Sequence, residues 1–285
     1  FQTAVNDFSS IERPLVLFAP EVMRVMGSTD GATIQGYLLA FAEANAGFAV
    51  LDTAADLSVS QATTYASGLA TSSYAAVYYP NIYIADPLGR NSTSVRKAGP
   101  AGAVAGLYLT TDRDYGPFKS PAGLQYTVGG AVALERRFTS AELDTLNSAA
   151  KPVNAIRDIP GAGVVVMGAR TLKQDGTANR YISMRRSLNY LKKELTQLTQ
   201  FALFQNNDER LWSQIRATVS VFLNDYRNRG GLAGGSPDEA FYVKCDAENN
   251  PDTSVAQGVV NIEVGVSLEY PAEFISITLS QKTAN

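Results

Sequence analysis

Residues 48–79 read FAVLDTAADLSVSQATTYASGLATSSYAAVYY, and this stretch decides the fold class. Its two ends, 48–51 and 75–79, are short apolar runs with branched or aromatic side chains, bounded by Asp52 and Pro80, the pattern of strands buried on both faces. Between them Ala62, Tyr65 and Leu69 recur at helical spacing after Ser60. A third apolar run, 15–19, lies upstream, and Ile34, Leu38 and Ala42 mark the helix that joins it to residue 48, with Gly47 as the stop. Strand, helix, strand, helix, strand is the signature of a largely parallel α/β sheet covered by helices.

Working outward, 86–100 (DPLGRNSTSVRKAGP) reads as a polar loop, followed by a small-residue helix with Pro100 at its first turn. Gly116, Pro117, Pro121 and Gly123 interrupt the pattern, and a further strand is expected over 131–138. Thr139 and Glu142 then form a capping box ahead of Leu143 and Leu146. An α/β domain over residues 1–151 follows from this reading.

The texture changes after it. Met184, Leu188, Leu191, Leu195, Leu198 and Ala202 make one apolar stripe on a long helix expected to pack lengthwise on a sheet. Asn206 and Glu209 resemble another capping box, before a second helix marked by Leu211, Ile215, Val219, Phe222 and Tyr226 and stopped by Gly230 and Gly231. Phe241, Val243 and Cys245 alternate with polar neighbours, as do Val260, Ile262, Val264, Val266, Leu268 and Tyr270, and the alternation resumes at Ile275, Ile277 and Leu279. Residues 152–285 therefore read as an α+β domain with two long helices and an antiparallel sheet.

Composition removes whole classes of chemistry. There is no His, so no imidazole base, and the single Cys245 forms neither an intrachain disulfide nor a Cys cluster. Net charge is −3, which gives no global attraction to nucleic acid. No apolar run approaches the ~20 residues of a spanning helix. Phe1 stands where a translated chain carries Met, which suggests a processed or trimmed product.

Local candidates each have a bland counterpart. Gly99, Pro100, Ala101, Gly102 and Gly106 invite a phosphate-loop reading at a helix N-terminus, but the spacing matches neither a dinucleotide fingerprint nor a Walker loop. Asp112, Arg113, Asp114 and Tyr115 group two carboxylates and a guanidinium, either as a cation site or as a salt-bridged loop end. Asn91, Ser92 and Thr93 fit a glycosylation triplet without a signal peptide to support it. Cys245 in an alternating strand reads as a small buried hydrophobe. Arg185, Arg186, Lys192 and Lys193 make the long helix basic on its polar side, either a contact for an acidic partner or a solvated face.

A set of short stretches carries more. Val153-Asn154-Ala155-Ile156-Arg157-Asp158 with Gly161 and Gly163, Gly168-Ala169-Arg170-Thr171-Leu172 and Arg180-Tyr181-Ile182-Ser183-Met184-Arg185-Arg186 come first. The run from Phe204 to Trp212 (FQNNDERLW), Gly231-Leu232-Ala233-Gly234, the run from Ala240 to Asp246 and Pro271-Ala272-Glu273-Phe274-Ile275 follow in order. In order and spacing they resemble the C-terminal region of contractile tail sheath proteins of bacteriophages and related contractile injection devices.

The resemblance implies a structural polymer, with stacked hexameric rings around a tail tube that contract and drive the tube through the host envelope for genome delivery. It implies no catalytic residue, cofactor or metal. Its partners would be neighbouring sheath subunits, the tail tube protein, and the baseplate and tail terminator proteins, with no nucleic acid and no membrane insertion. The location would be the tail of a virion assembled in the host cytoplasm. The region 152–279 would be the inner layer facing the tube, with Arg185, Arg186, Lys192 and Lys193 toward it, and Phe274, Ile275, Ile277 and Leu279 would form an intersubunit strand. The resemblance also implies an N-terminal arm, and with Phe1 in place of Met that arm is expected to be missing here in part or whole. The alternatives are the sheath of a bacterial contractile injection device and an α/β ligand-binding or enzyme domain using the glycines near residue 100.

Overall fold

The computed structural model describes residues 2–89 and 94–273. Its strands are β1 (Val16–Leu17), β2 (Phe48–Asp52), β3 (Ala75–Tyr79), β4 (Ile82–Ala85), β5 (Val95–Ala98), β6 (Ala131–Leu134), β7 (Val153–Ile159), β8 (Gly163–Val166), β9 (Phe241–Lys244) and β10 (Glu263–Val266). Its helices are α1 (Gln2–Asn6), α2 (Val22–Val25), α3 (Gly27–Ala44), α4 (Val59–Gly68), α5 (Ala101–Asp114), α6 (Ser140–Ser148), α7 (Ile182–Leu198), α8 (Glu209–Asn228), α9 (Pro237–Ala240) and α10 (Asp252–Ala256). Among the described residues no helix is long and apolar enough to cross a membrane.

The three apolar runs are adjacent parallel strands of one sheet, ordered β1-β2-β3-β7-β8, with only the β7–β8 hairpin antiparallel. Side chains alternate across it. Ala49, Leu51, Val77, Tyr79 and Val153 meet α3, α4 and α6 on one face, while Phe48, Val50, Ala76, Tyr78 and Ile156 meet α5 on the other. Continuous apolar runs without polar alternation are what a sheet covered on both sides requires.

Several expectations need correction. Strand β7 pairs with β3, registering Val77 with Val153, so a division at 151/152 cuts this sheet. The division that keeps the sheet whole falls after Val166, because β-pairing across sequence distance outranks the local change of texture. The expected loop 86–100 contains β5, which with β4 and β6 makes a small antiparallel sheet. Its polar sequence, VRKA, is compatible with an edge strand half open to water.

Helix starts follow their caps closely. Thr139 and Glu142 form the expected box, and Ser58 with Gln61 forms one two residues before the expected start at Ser60. The Asn206/Glu209 box does not form: Asp208 is the cap, accepting from Leu211 N at 3.0 Å, and Glu209 reaches Arg216 instead at 2.7 Å. With the cap at 208 the third helical position is Leu211, which has no carboxylate to return.

Helix α8 packs its apolar stripe (Leu211, Ile215, Val219, Leu223, Tyr226) against the β9–β10 hairpin, where Val264, Val266 and the flanking Val260, Ile262 and Leu268 lie on the inner side. The alternation over 260–270 thus assigns the face correctly, although regular pairing is confined to Glu263–Val266, since β9 offers only four partners before the chain turns at Asp246. Cys245 lies at this core, fully enclosed, and burial pushes its thiol up. We expect Cys245→Ser to cost ~1 kcal/mol by placing a hydroxyl where a soft sulfur sits. Urea unfolding checks the cost, and native thiol labelling should run no faster than unfolding.

Candidate interaction surfaces and the joint between the two units

Helix α7 does not lie along one sheet as expected. Ile182 at its start sits in the core beneath the parallel sheet with Tyr108, Ile156 and Val166, whereas Leu191, two to three turns later, sits in the core with α8. The helix is a strut between the two units. Its first half is enclosed, with Ile182, Ser183, Met184, Arg186, Ser187 and Asn189 all buried.

Polar side chains on that enclosed half tie it in place. Arg186 grips Asp112 at the end of α5 with both terminal nitrogens, Nη1 to Oδ1 at 2.9 Å, and lies over the Tyr108 ring at 4.5 Å. Asn189 donates to the carbonyl of Gly47 at 2.8 Å, and Ser187 meets the Tyr226 hydroxyl of α8 at 3.1 Å. Arg185 lies over Tyr74 at 4.4 Å and donates to the Tyr74 hydroxyl and the Asn179 side chain. A cleft of about 470 Å³ opens beside this joint, lined by Arg13, Asp112, Arg186, Asn189, Tyr190 and Arg229 among others.

The four cations singled out on α7 are therefore not one surface. Arg185 and Arg186 are turned to internal partners, Lys192 is exposed and Lys193 half-buried. The spacing of seven keeps Arg185 with Lys192, and Arg186 with Lys193, at nearly one angle around the helix, but the lysines lie about two turns after the arginines, and only the later turns emerge. Asp112 belongs to this internal ion pair rather than to a cation site. Asp114 is held by Arg113 and by the Tyr126 hydroxyl, which together keep its carboxyl below the usual range. Among the described residues no group of three or more metal-ligating side chains forms.

A second convergence involves stretches quoted above. Asn154, buried in β7, donates to the carbonyls of Val77 and Arg170 at 3.2 and 2.8 Å and accepts from Arg170 N at 2.8 Å. Gly168 makes room for it, since a Cβ there would meet the Asn154 backbone at 2.8 Å. The Arg170 guanidinium then holds Glu273 through Nε at 2.9 Å and Nη2 at 2.7 Å, and the carbonyl of Asn147 at 3.0 Å. Beside it runs a groove of about 310 Å³ lined by Leu143, Leu146, Val153, Met167 and Pro271 among others. Phe274, Ile275, Ile277 and Leu279 lie outside the described residues, as do Asn91, Ser92 and Thr93. Neither Asn154 nor Asn189 was assigned a role from sequence; the signal available was a lone amide inside an apolar run.

The glycine cluster near residue 100 does not present an open anion cradle. Asp52, at the end of β2, places its carboxylate on the first turn of α5, where Oδ1 accepts from Ala101 N at 2.7 Å. Gly99 is required there, because a Cβ would lie 2.2 Å from Asp52 Oδ2. A phosphate would meet a carboxylate at that helix end.

In the unit built from α8 and the β9–β10 hairpin, each strand forms a regular ladder only with the other among the described residues, and a single antiparallel bridge, Leu232 to Leu268, lies just past the end of β10.

Comparison with known proteins gives one consistent result. Residues 19–172 match the family described as the phage tail sheath protein central domain, and residues 174–282 match the phage tail sheath C-terminal domain. A tail sheath protein of Vibrio phage KVP40 is 29% identical over 178 residues, 62% of this chain and 25% of that protein. The helical sheath of the anti-feeding prophage in its contracted state superposes with a TM-score of 0.80 at 26% identity, covering 99% of this chain and 74% of that one. The sheath complex of the extracellular contractile injection system PVC, also contracted, gives 0.73 at 28% identity over 82% of this chain and 64% of that one. The chain spans about a quarter of the length of the curated tail sheath proteins it matches.

Proposed function

The chain belongs to the phage tail sheath family, a family of structural proteins and not of enzymes, and from that premise we propose that it is the repeating subunit of a contractile sheath. In this reading copies stack as hexameric rings around a tail tube, and contraction drives the tube through a cell envelope. The observation that carries it is the likeness to a contracted helical sheath over 99% of the chain, not of one domain alone. Partners are neighbouring copies, the tube protein, and the baseplate and terminator proteins, in a virion tail assembled in the host cytoplasm or in the equivalent bacterial device.

The two units take separate roles in this proposal, the α7–α8 unit forming the inner layer beside the tube and the parallel-sheet unit lying outside it. Over Phe241–Lys244 and Glu263–Val266 neither strand of the hairpin has a second strand partner among the described residues, which supports strand addition, in which a neighbour's extended segment completes the sheet through backbone hydrogen bonds. Phe274, Ile275, Ile277 and Leu279 have the alternation such a strand needs. Lys192 and Lys193 remain from the basic set as candidates for the tube.

Electron microscopy of the full-length protein coexpressed with its tube protein tests the reading. Striated tubes are expected. Removing residues 274–285 should abolish them and leave a cooperatively unfolding subunit, and normal tubes from the truncated protein would show that the terminal strand is dispensable. Joint reversal of Lys192→Glu and Lys193→Glu should weaken tube-templated assembly more at low than at high ionic strength, because exposed charges are screened beyond ~10 Å at 0.1 M salt.

A further inference from the structure

A cavity of about 30 Å³ lies at the carboxyl end of β2, enclosed by Glu21, Met23, Arg24, Asp52, Thr53 and Lys97 among others. It is large enough for one water molecule. Two buried polar groups on its wall are poorly matched. Asp52, 2% exposed, accepts one hydrogen bond through Oδ1, and the hydroxyl of Thr53, 1% exposed, has no partner.

We propose that Asp52, Thr53 and this cavity form a proton-operated latch on the segment 19–26, closed when Asp52 carries a proton and loosened when it loses it. A protonated Asp52 brings no charge into this enclosed site; its O–H can pair with the Thr53 hydroxyl directly or through one water, while its other oxygen still accepts from Ala101 N. An ionised Asp52 can still accept from the Thr53 hydroxyl, but its charge lies in an enclosed site with one backbone N–H partner, and Glu21 lines the same cavity. Burial pushes the Asp52 carboxyl up to about 7, against the pull of the Ala101 N–H, and the Glu21 charge adds to the rise.

The surroundings direct the effect to one segment. Lys97, from β5, is held by Asp56 and Glu135, and the Glu135 carboxylate also accepts from Asn81 N at 3.2 Å. Tyr65 of α4, whose hydroxyl donates to Gln35, feels the Asp52 charge from the other side. Glu21 is the partner that belongs to the segment 19–26. It occupies a left-handed backbone conformation (φ +60°) and is held there through Arg24 and, at 3.2 Å, Arg96. Behind it Met23 packs against α3 at Gly31, where a Cβ would meet its sulfur at 2.8 Å. Repulsion at Glu21 is thus passed to the seating of α2 on α3.

The sign follows from linkage. The folded carboxyl titrates above its unfolded value of 3.8, so the folded state holds the extra proton and stability falls as pH rises from about 4 to about 7, then levels. The test compares the intact chain with Asp52→Asn, whose amide can accept from Ala101 N and donate to Thr53 as the protonated acid does. A wild-type deficit of a few degrees at pH 5, widening to about 5–10 °C at pH 8, is expected. Hydrogen exchange, corrected for intrinsic rates, should show 20–26 losing protection in the wild type over the same window, and Glu21→Gln should lower the midpoint. Parallel pH profiles for wild type and Asp52→Asn would overturn the latch. A carboxyl ¹³C titration of the wild type provides the measurement that needs no variant, and a midpoint below pH 5 would overturn it as well.

Discussion

Arg186→Ala is expected to destabilise the folded chain by about 3–5 kcal/mol, read as a fall in the urea midpoint at unchanged slope. The guanidinium is 6% exposed, bonds Asp112 through two nitrogens and covers the Tyr108 face, so truncation removes a charge pair, a cation–π contact and packing volume together. Asp112 is left facing a cavity, although its side chain is 27% exposed and recovers part of its solvation. Arg186→Lys should restore less than half of the loss, since an ammonium cannot reproduce the two-nitrogen grip. The joint between the units should open first, so limited proteolysis near 115–120 and 173–180 should accelerate more than cleavage within the parallel sheet. A cost below 1 kcal/mol would show that the ion pair is incidental to the docking of α7.

Asn154→Ala should cost about 3–4 kcal/mol, for a different reason. Its amide serves three backbone groups, and truncation leaves Arg170 N and two carbonyls to find other partners in a site closed to water. No larger side chain compensates, because Gly168 lies directly on the Asn154 backbone. The loss should spread to Glu273, whose anchor is the guanidinium of the same Arg170. If assembly uses residues beyond 273, the variant should also assemble poorly at temperatures where the subunit remains folded. Thermal unfolding together with tube yield separates the two effects, and an unaltered melting temperature would refute the bracing role of Asn154.

Part of this architecture was legible residue by residue. Apolar runs at 48–51 and 75–79 read as covered strands because they are short, rich in branched and aromatic side chains, and bounded by Asp52 and Pro80. Thr139 with Glu142 marks a helix start because the chemistry of orphan amides is local. The alternation at 260–270 assigns the inner face of a hairpin even where the ladder does not extend. The absence of His excludes imidazole chemistry whatever the fold. The resemblance of the C-terminal stretches also survives in the structure as a physical pattern, since Asn154, Arg170, Arg186 and Glu273 all join segments far apart in sequence.

What the sequence left open depended on depth and on partners. Helical spacing fixes the angle of Arg185, Arg186, Lys192 and Lys193 around α7, yet only the docking of two units decides that Arg186 is buried, Lys192 exposed, and Arg185 and Lys193 half-buried. A division at 151/152 separates β7 from its partner 76 residues upstream, where Val153 registers with Val77, and no local change of composition records that pairing. Asp52 reads in sequence as a strand-ending carboxylate; its enclosure against the first turn of α5, 49 residues on, is what sets its affinity for a proton. Local chemistry determined the elements and their faces, whereas burial, which depends on every neighbour at once, decided which charges remain available to act.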